Sequence, residues 1–139
     1  MTDIFSKEKR SEIMSRIRGK NTKPELLVYR YLRRNKVYFQ KHYRSREGIV
    51  MDVALPRKKR VVFIDGDFWH GRTYDRVRER RGEDDFWTKK IRRNMERDLE
   101  QRARLSEAGW KIYTTWENEL MRVSSRDEHL GRIRAFLTD

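Results

Sequence analysis

The stretch Arg60-Val-Val-Phe-Ile-Asp65, followed directly by Gly66-Asp-Phe-Trp-His70, decides how this chain is read. The unbroken apolar run from Val61 to Ile64 predicts a central strand buried on both faces. Just upstream, Ile49-Val-Met-Asp-Val-Ala-Leu55 reads as a second apolar strand with one acid, Asp52, in its interior. A carboxylate there is costly to desolvate, and a divalent cation offsets that cost. Adjacent strands bring carboxylates close enough to share one Mg2+, so Asp52, Asp65 and Asp67 form a candidate metal constellation. Taken singly, each acid has an alternative role in ion pairs with Lys58, Lys59 or Arg60, or in capping turns.

His70 follows the aromatic pair Phe68-Trp69. A neutral imidazole takes a proton from water near pH 7 if an acceptor orients its other nitrogen. A histidine beside aromatics is otherwise a packing residue. Phe68, Trp69 and Trp87 flank expected loops, and each reads as core or as a wedge between bases. His42 and His129 lack such surroundings and are given no role.

Outward from this centre the pattern alternates helices with strands. Residues 7–18 read as a short basic helix striped by Ile13, Met14 and Ile17 and ended by Gly19. Thr22-Lys-Pro-Glu25 has the capping-box spacing, with Pro24 in the first turn, and opens a helix to about Asn35. Val37 to Tyr43 is rich in β-formers, and Arg44 to Gly48 is a polar turn. Residues 71–84 show no period and read as a long loop. Asp84 or Asp85 is placed to cap a helix from Phe86 to about Ala108, with Ile91, Met95, Leu99 and Ala103 as its apolar line and Gly109 as its stop. A last strand over Trp110–Trp116 and a helix from about Arg126 to Leu137 complete the chain. The order predicts an α/β domain with a mixed central sheet between helices. No repeat or linker divides it, so residues 1–139 are expected to form one domain.

Lys and Arg exceed Asp and Glu to give a net charge of +13, a surplus that points to a polyanionic partner, nucleic acid above all. Cysteine is absent, which excludes disulfides and thiolate metal sites. No stretch has the apolar length of a leader or a membrane span, so a cytoplasmic protein without a membrane partner is expected.

Several pieces together resemble the very-short-patch repair endonucleases, which nick DNA beside a thymine–guanine mismatch. They are residues 51–56 (Met-Asp-Val-Ala-Leu-Pro), 62–71 (Val-Phe-Ile-Asp-Gly-Asp-Phe-Trp-His-Gly), 86–98, Gly109-Trp110 and Trp116-Glu-Asn-Glu-Leu120. The resemblance runs from about Ser11 to Leu120 and implies a restriction-endonuclease-like core. It implies that Asp52 binds Mg2+ with the main-chain carbonyl of Ile64, that His70 is the general base, and that Asp98 orients it. It places Glu25 near the active site, Phe68, Trp69 and Trp87 as intercalating aromatics, and Met14, on a DNA-contacting arm over residues 1–20, in the other groove. The catalytic core would then span 21–139. Double-stranded DNA carrying a mismatch is the implied partner, bound by a monomer, with mismatch-repair proteins as candidate further partners.

The chain departs from the family in three places. Where members hold a structural zinc with Cys and His, it reads Gly71-Arg-Thr-Tyr74 and Trp116-Glu-Asn118, so no zinc of that kind is expected, and either Arg and Tyr hold the 71–84 loop by other means or it is mobile. Asp65 stands where one branch has a second histidine, and it could add charge at the metal. Met51 replaces a common proline. A nuclease of the same fold that cuts unmismatched DNA, as in a mobile element or a defence system, and a non-catalytic DNA-binding module are the competing readings.

Overall fold

The computed structural model describes residues 21–139. The expected helix over 7–18, with Met14, lies outside the described residues.

Helix α1 (Lys23–Arg34) begins at Thr22 with the capping-box residues in place, and Glu25 Oε1 accepts from the Thr22 amide at 3.0 Å. Its end explains a shift in the next strand. Lys36 takes a left-handed φ of 58°, and the Val37 amide donates back to the Leu32 carbonyl at 2.9 Å. Val37 therefore closes the helix instead of joining a ladder, and strand β1 (Gln40–Arg44) starts three residues later than the composition predicts. Strands β2 (Val50–Leu55) and β3 (Arg60–Asp65) follow as an antiparallel meander.

The stretch expected as a 71–84 loop contains a helix, α2 (Tyr74–Arg81). No residue of α2 is buried, so it carries no apolar period to betray it. It is tied down by side chains, with Arg92 Nε donating to Tyr74 Oη at 3.0 Å and Arg81 pairing with Asp85 at 3.7 Å. Asp85 is the cap of helix α3 (Phe86–Glu107), its carboxylate accepting from the Trp87 amide at 2.9 Å. Strand β4 (Lys111–Trp116) lies parallel to β3, and the short helix α4 (Glu117–Met121) and helix α5 (Val123–Thr138) complete the fold.

The sheet order is β1-β2-β3-β4, a mixed sheet between helices of the restriction-endonuclease-like kind. Val62 and Ile64 pack with Val28 and Leu32 of α1 and Ile133 and Leu137 of α5. Val61 and Phe63, on the other face, pack with Leu105 of α3 and Trp110. β3 is thus covered on both sides, as its apolar run requires.

The apolar line expected along α3 meets its buried face at Ile91 and then leaves it, with Met95 half-buried and Leu99 and Ala103 exposed. Leu99 is 74% exposed, whereas Trp87, Ile91 and Leu105 are buried. The inward stripe runs from Ile91 through Asp98 and Arg102 to Leu105, and its two central members are charged. They break the hydrophobic period from which the face was read.

Candidate active site

The strand ladder opens at one point. The β1–β2 register skips the pair His42–Asp52, with Lys41 opposite Val53 and Tyr43 opposite Met51. The β2–β3 pairing begins only at Val53 opposite Val62. Met51 and Val53, which would share a face in a regular strand, lie in opposite core layers, so the facing slips at Asp52. His42 takes a left-handed φ of 50°, a conformation that costs a non-glycine residue about 1 kcal/mol or more. The Asp52 carboxylate fills the opening, and its Oδ2 accepts from the Ile64 amide at 2.7 Å. Burial, resisted by that hydrogen bond, pushes its pKa up to about 7.

A cavity of about 570 Å3 sits over this opening, lined by Glu25, His42, Asp52, Asp65, His70, Asp98, Arg102 and Glu117 among others. Glu25 comes from the first turn of α1, where its backbone is fixed by the cap, and its Oε2 lies 3.2 Å from His42 Nε2. His70 Nδ1 lies 2.5 Å from Asp98 Oδ2 and 3.8 Å from Asp65 Oδ1. Burial alone would lower the His70 pKa, but the Asp98 hydrogen bond and the charges of Asp65 and Asp98 outweigh it, and the imidazole sits above its ordinary value. Arg102 holds Asp65 with both carboxylate oxygens at 2.8 and 2.9 Å while its guanidinium lies 4.3 Å from the Phe63 ring centroid. Burial still raises the Asp65 pKa against the opposing charges of His70 and Arg102. Glu117 is raised as well, by burial and then by Asp67 and Glu25.

A side chain on the residue after His70 would be strained. Gly71 has a φ of +86°, and a Cβ there would overlap the side chain of Met95 in α3. This close approach seats the turn carrying His70 against α3, within reach of Asp98. A second tie comes from Arg72, which bonds Asp67 at 3.2 Å and Glu119 at 2.7 Å and lies over the Trp116 ring. Asp67 in turn accepts from the Asn118 amide at 3.0 Å, and Glu119 meets His129 at 3.2 Å. Arg72 thus bridges the same two stretches, 71–74 and 116–118, in which the resemblance places zinc ligands. Because this tie is ionic, Arg72→Met is expected to cost about 1 kcal/mol. In Asp52→Asn, which lacks the charge that would hold the catalytic cation, adding EDTA is expected to leave the Tm unchanged, and a large fall in thermal melts with EDTA would refute a metal-free tie.

The aromatics form one cluster at the rim. Ring centroids lie 4.8 Å apart for Phe68 and Trp69, 5.3 Å for Trp69 and Trp87, and 4.9 Å for Phe86 and Trp87. Phe68 is 38% exposed while Trp87 is 2% exposed, so Trp87 is the floor on which the other rings rest. Trp87→Ala is expected to destabilise by about 3–5 kcal/mol, and Phe68→Ala by far less. Denaturant unfolding of the two variants decides this, and equal losses would refute the division.

The structure thus brings Glu25, Asp52, Ile64, Asp65, His70 and Asp98 around one pocket, with Phe68 and Trp69 at its edge. Sequence reasoning passed over His42, Arg102 and Glu117. The hairpin register set by the 44–48 turn would place His42 across from Asp52, and Arg102 lies one helical turn beyond Asp98. Glu117 gave no signal of its own.

A layered α/β domain of this kind, with an acid-lined cleft and a histidine held by a carboxylate, defines the class as a DNA endonuclease. Residues 2–76 match the family model described as DNA mismatch endonuclease Vsr. The chain belongs to this Vsr endonuclease family. It is 38% identical over 133 residues to a Type II nicking enzyme of Neisseria meningitidis serogroup A, covering 96% of this chain and 94% of that one. It is 32% identical to a Type II nicking enzyme of Xanthomonas oryzae, covering 96% and 97% of the two chains. It is 30% identical over 117 residues to the DNA mismatch endonuclease Vsr of Escherichia coli K12, covering 84% and 74%. Among the described residues, no helix is long and apolar enough to cross a membrane.

Proposed function

We propose that this endonuclease hydrolyses one strand of duplex DNA beside a T·G mismatch in very-short-patch repair, with Mg2+ as its cation. The observation that carries the reading is the shared pocket of Asp52 and the His70–Asp98 pair, with the Phe68–Trp69 cluster at its rim. Asp52, the Ile64 carbonyl and Glu25 are the groups that would hold the cation, and their oxygen donors suit a hard ion. When bound, such an ion supplies positive charge to the scissile phosphate and the leaving oxygen. His70 uses Nδ1 for Asp98, so Nε2 is the nitrogen that takes the proton from the attacking water. Phe68 and Trp69 press into the base stack, where a mismatch lowers the cost of opening. Trp87 supports them, and Asp65, clamped by Arg102, adds a second carboxylate on the Nδ1 side of His70.

The names of the two nicking relatives support cleavage of a single strand, and that of the Escherichia coli relative supports mismatched DNA. Residues 1–20, with Met14, would form an arm on the duplex and 21–139 the catalytic core of one monomeric domain. Mismatch-repair proteins are candidate partners. The test is cleavage of matched T·G and T·A duplexes side by side, with and without Mg2+. Nicking confined to one strand of the T·G duplex and dependent on Mg2+ is expected. Equal cleavage of the T·A duplex would overturn the mismatch assignment and favour a nuclease directed at unmismatched DNA.

A further inference from the structure

We propose that His42 is a nitrogen ligand of the cation, making this a mixed carboxylate–imidazole site with Glu25 and Asp52. The inference rests on the reading of Asp52 as a metal ligand and adds a donor from β1 that the sequence did not single out. Three elements converge here. Asp52 lies in β2, His42 faces it across the interrupted register of β1, and Glu25 projects from the first turn of α1. One ligand atom from each lies within 4.8 Å of the others. His42 and Glu25 are largely withdrawn from solvent, with side chains 11% and 9% exposed.

Two features separate this triad from the second acidic cluster in the same pocket. In that cluster, Asp65, His70 and Asp98, a cation is already supplied, because the Arg102 guanidinium takes both oxygens of Asp65. No Lys or Arg pairs with Glu25 or Asp52 among the described residues. Two carboxylates with a single imidazole between strands leave negative charge that a divalent ion neutralises. The second feature is Tyr29. Its hydroxyl lies 3.3 Å from His42 Nε2 and donates to the Asp52 carbonyl at 3.3 Å, and its ring meets the imidazole edge-on. Tyr29 thereby sets the position of the imidazole ring and of the Asp52 backbone, and a bound ion would take the Nε2 lone pair in place of the hydroxyl.

A nitrogen donor changes which ion the site favours. Carboxylate, carbonyl and water suit Mg2+, whereas imidazole raises affinity for the later divalent metals, beginning with Mn2+. The wild-type chain therefore binds Mn2+ more tightly than Mg2+, and His42 contributes most of that difference.

The experiment is Mn2+ titration of the metal-free full chain without DNA, followed by loss of the free-ion EPR signal. Electron spin-echo modulation then reads nitrogen coupling at the bound ion. Imidazole coupling is expected in the wild type and in His70→Gln. It is expected to vanish in His42→Gln, with Mn2+ affinity at least about tenfold weaker and Mg2+ affinity changed much less. Coupling absent from the wild type, or retained in His42→Gln, overturns the proposal. If His42→Gln folds poorly, the His70→Gln spectrum decides the matter, because coupling lost there assigns the nitrogen to His70 and overturns the proposal. Mn2+ binding that is untouched by Asp52→Asn overturns the metal reading of Asp52 itself, a failure distinct from an Asp52-dependent ion without nitrogen.

Discussion

Replacing His70 with alanine is expected to slow nicking by about 10^2- to 10^4-fold, the range a positioned general base contributes, while leaving duplex binding intact. The imidazole is bound through Nδ1 to Asp98 and lies 3.8 Å from Asp65, so its proton-accepting nitrogen is fixed in direction and made more basic. A base must be unprotonated to act. Because the His70 pKa is raised, the wild-type rate climbs with pH through a value above the ordinary one for histidine. Asp98→Asn removes the hydrogen-bonded charge that raises it, so the acidic limb of the pH–rate profile shifts to lower pH even as the maximal rate falls. Single-turnover rates across pH, with binding measured separately, test both points. An unshifted limb in Asp98→Asn would show that His70 is not the group being titrated, and a His70→Ala variant of wild-type rate would remove it from catalysis.

Asp52→Asn is expected to show the second large effect, in opposite directions on activity and stability. Nicking should drop to background at any Mg2+ concentration, because a neutral amide loses the charge that holds the cation. The metal-free protein should become more stable. The Asp52 carboxyl has its pKa raised from 3.8 to about 7 by burial. A raised folded-state pKa means that the folded state holds the proton more tightly than the unfolded chain does, so ionisation progressively costs stability between the two values. The advantage of Asn, which still offers an oxygen to the Ile64 amide, should be small below pH 4. It should grow as pH rises toward 7 and level off above, at about 2–4 kcal/mol. Chemical denaturation at pH 4 and pH 8 in EDTA measures this. A less stable Asn variant at pH 8 would mean that the carboxylate is already compensated without an ion.

The opposed signs share one cause. Opening the sheet at Asp52 interrupts the ladder, buries an acid and puts His42 in a left-handed conformation. Each is unfavourable for folding and leaves a pocket with convergent donors. Strain and uncompensated charge gather where a site is needed and are carried by the rest of the core.

Local signals determined much of this protein without any tertiary information. The capping box at Thr22–Glu25, the doubly buried run Val61–Ile64 and the Asp85 cap are written in neighbouring residues, and the structure follows them. The residues of the site were legible for the same reason, because an acid inside an apolar strand and a histidine after Asp-Phe-Trp stand out against their surroundings. What the tertiary structure alone decided is where elements cross. Helix α2 has no buried face, so its existence depends on Arg92 and Asp85 of a neighbouring segment. The inward face of α3 was hidden because Asp98 and Arg102 occupy it, and an apolar period cannot report a face whose central members are charged. The hairpin turn sets His42 across from Asp52, but the partnership of His42 with Glu25 depends on a helix approach that no local pattern encodes. Side-chain chemistry is local and can be read along the chain, whereas the pairing of those side chains comes from packing between segments far apart in sequence.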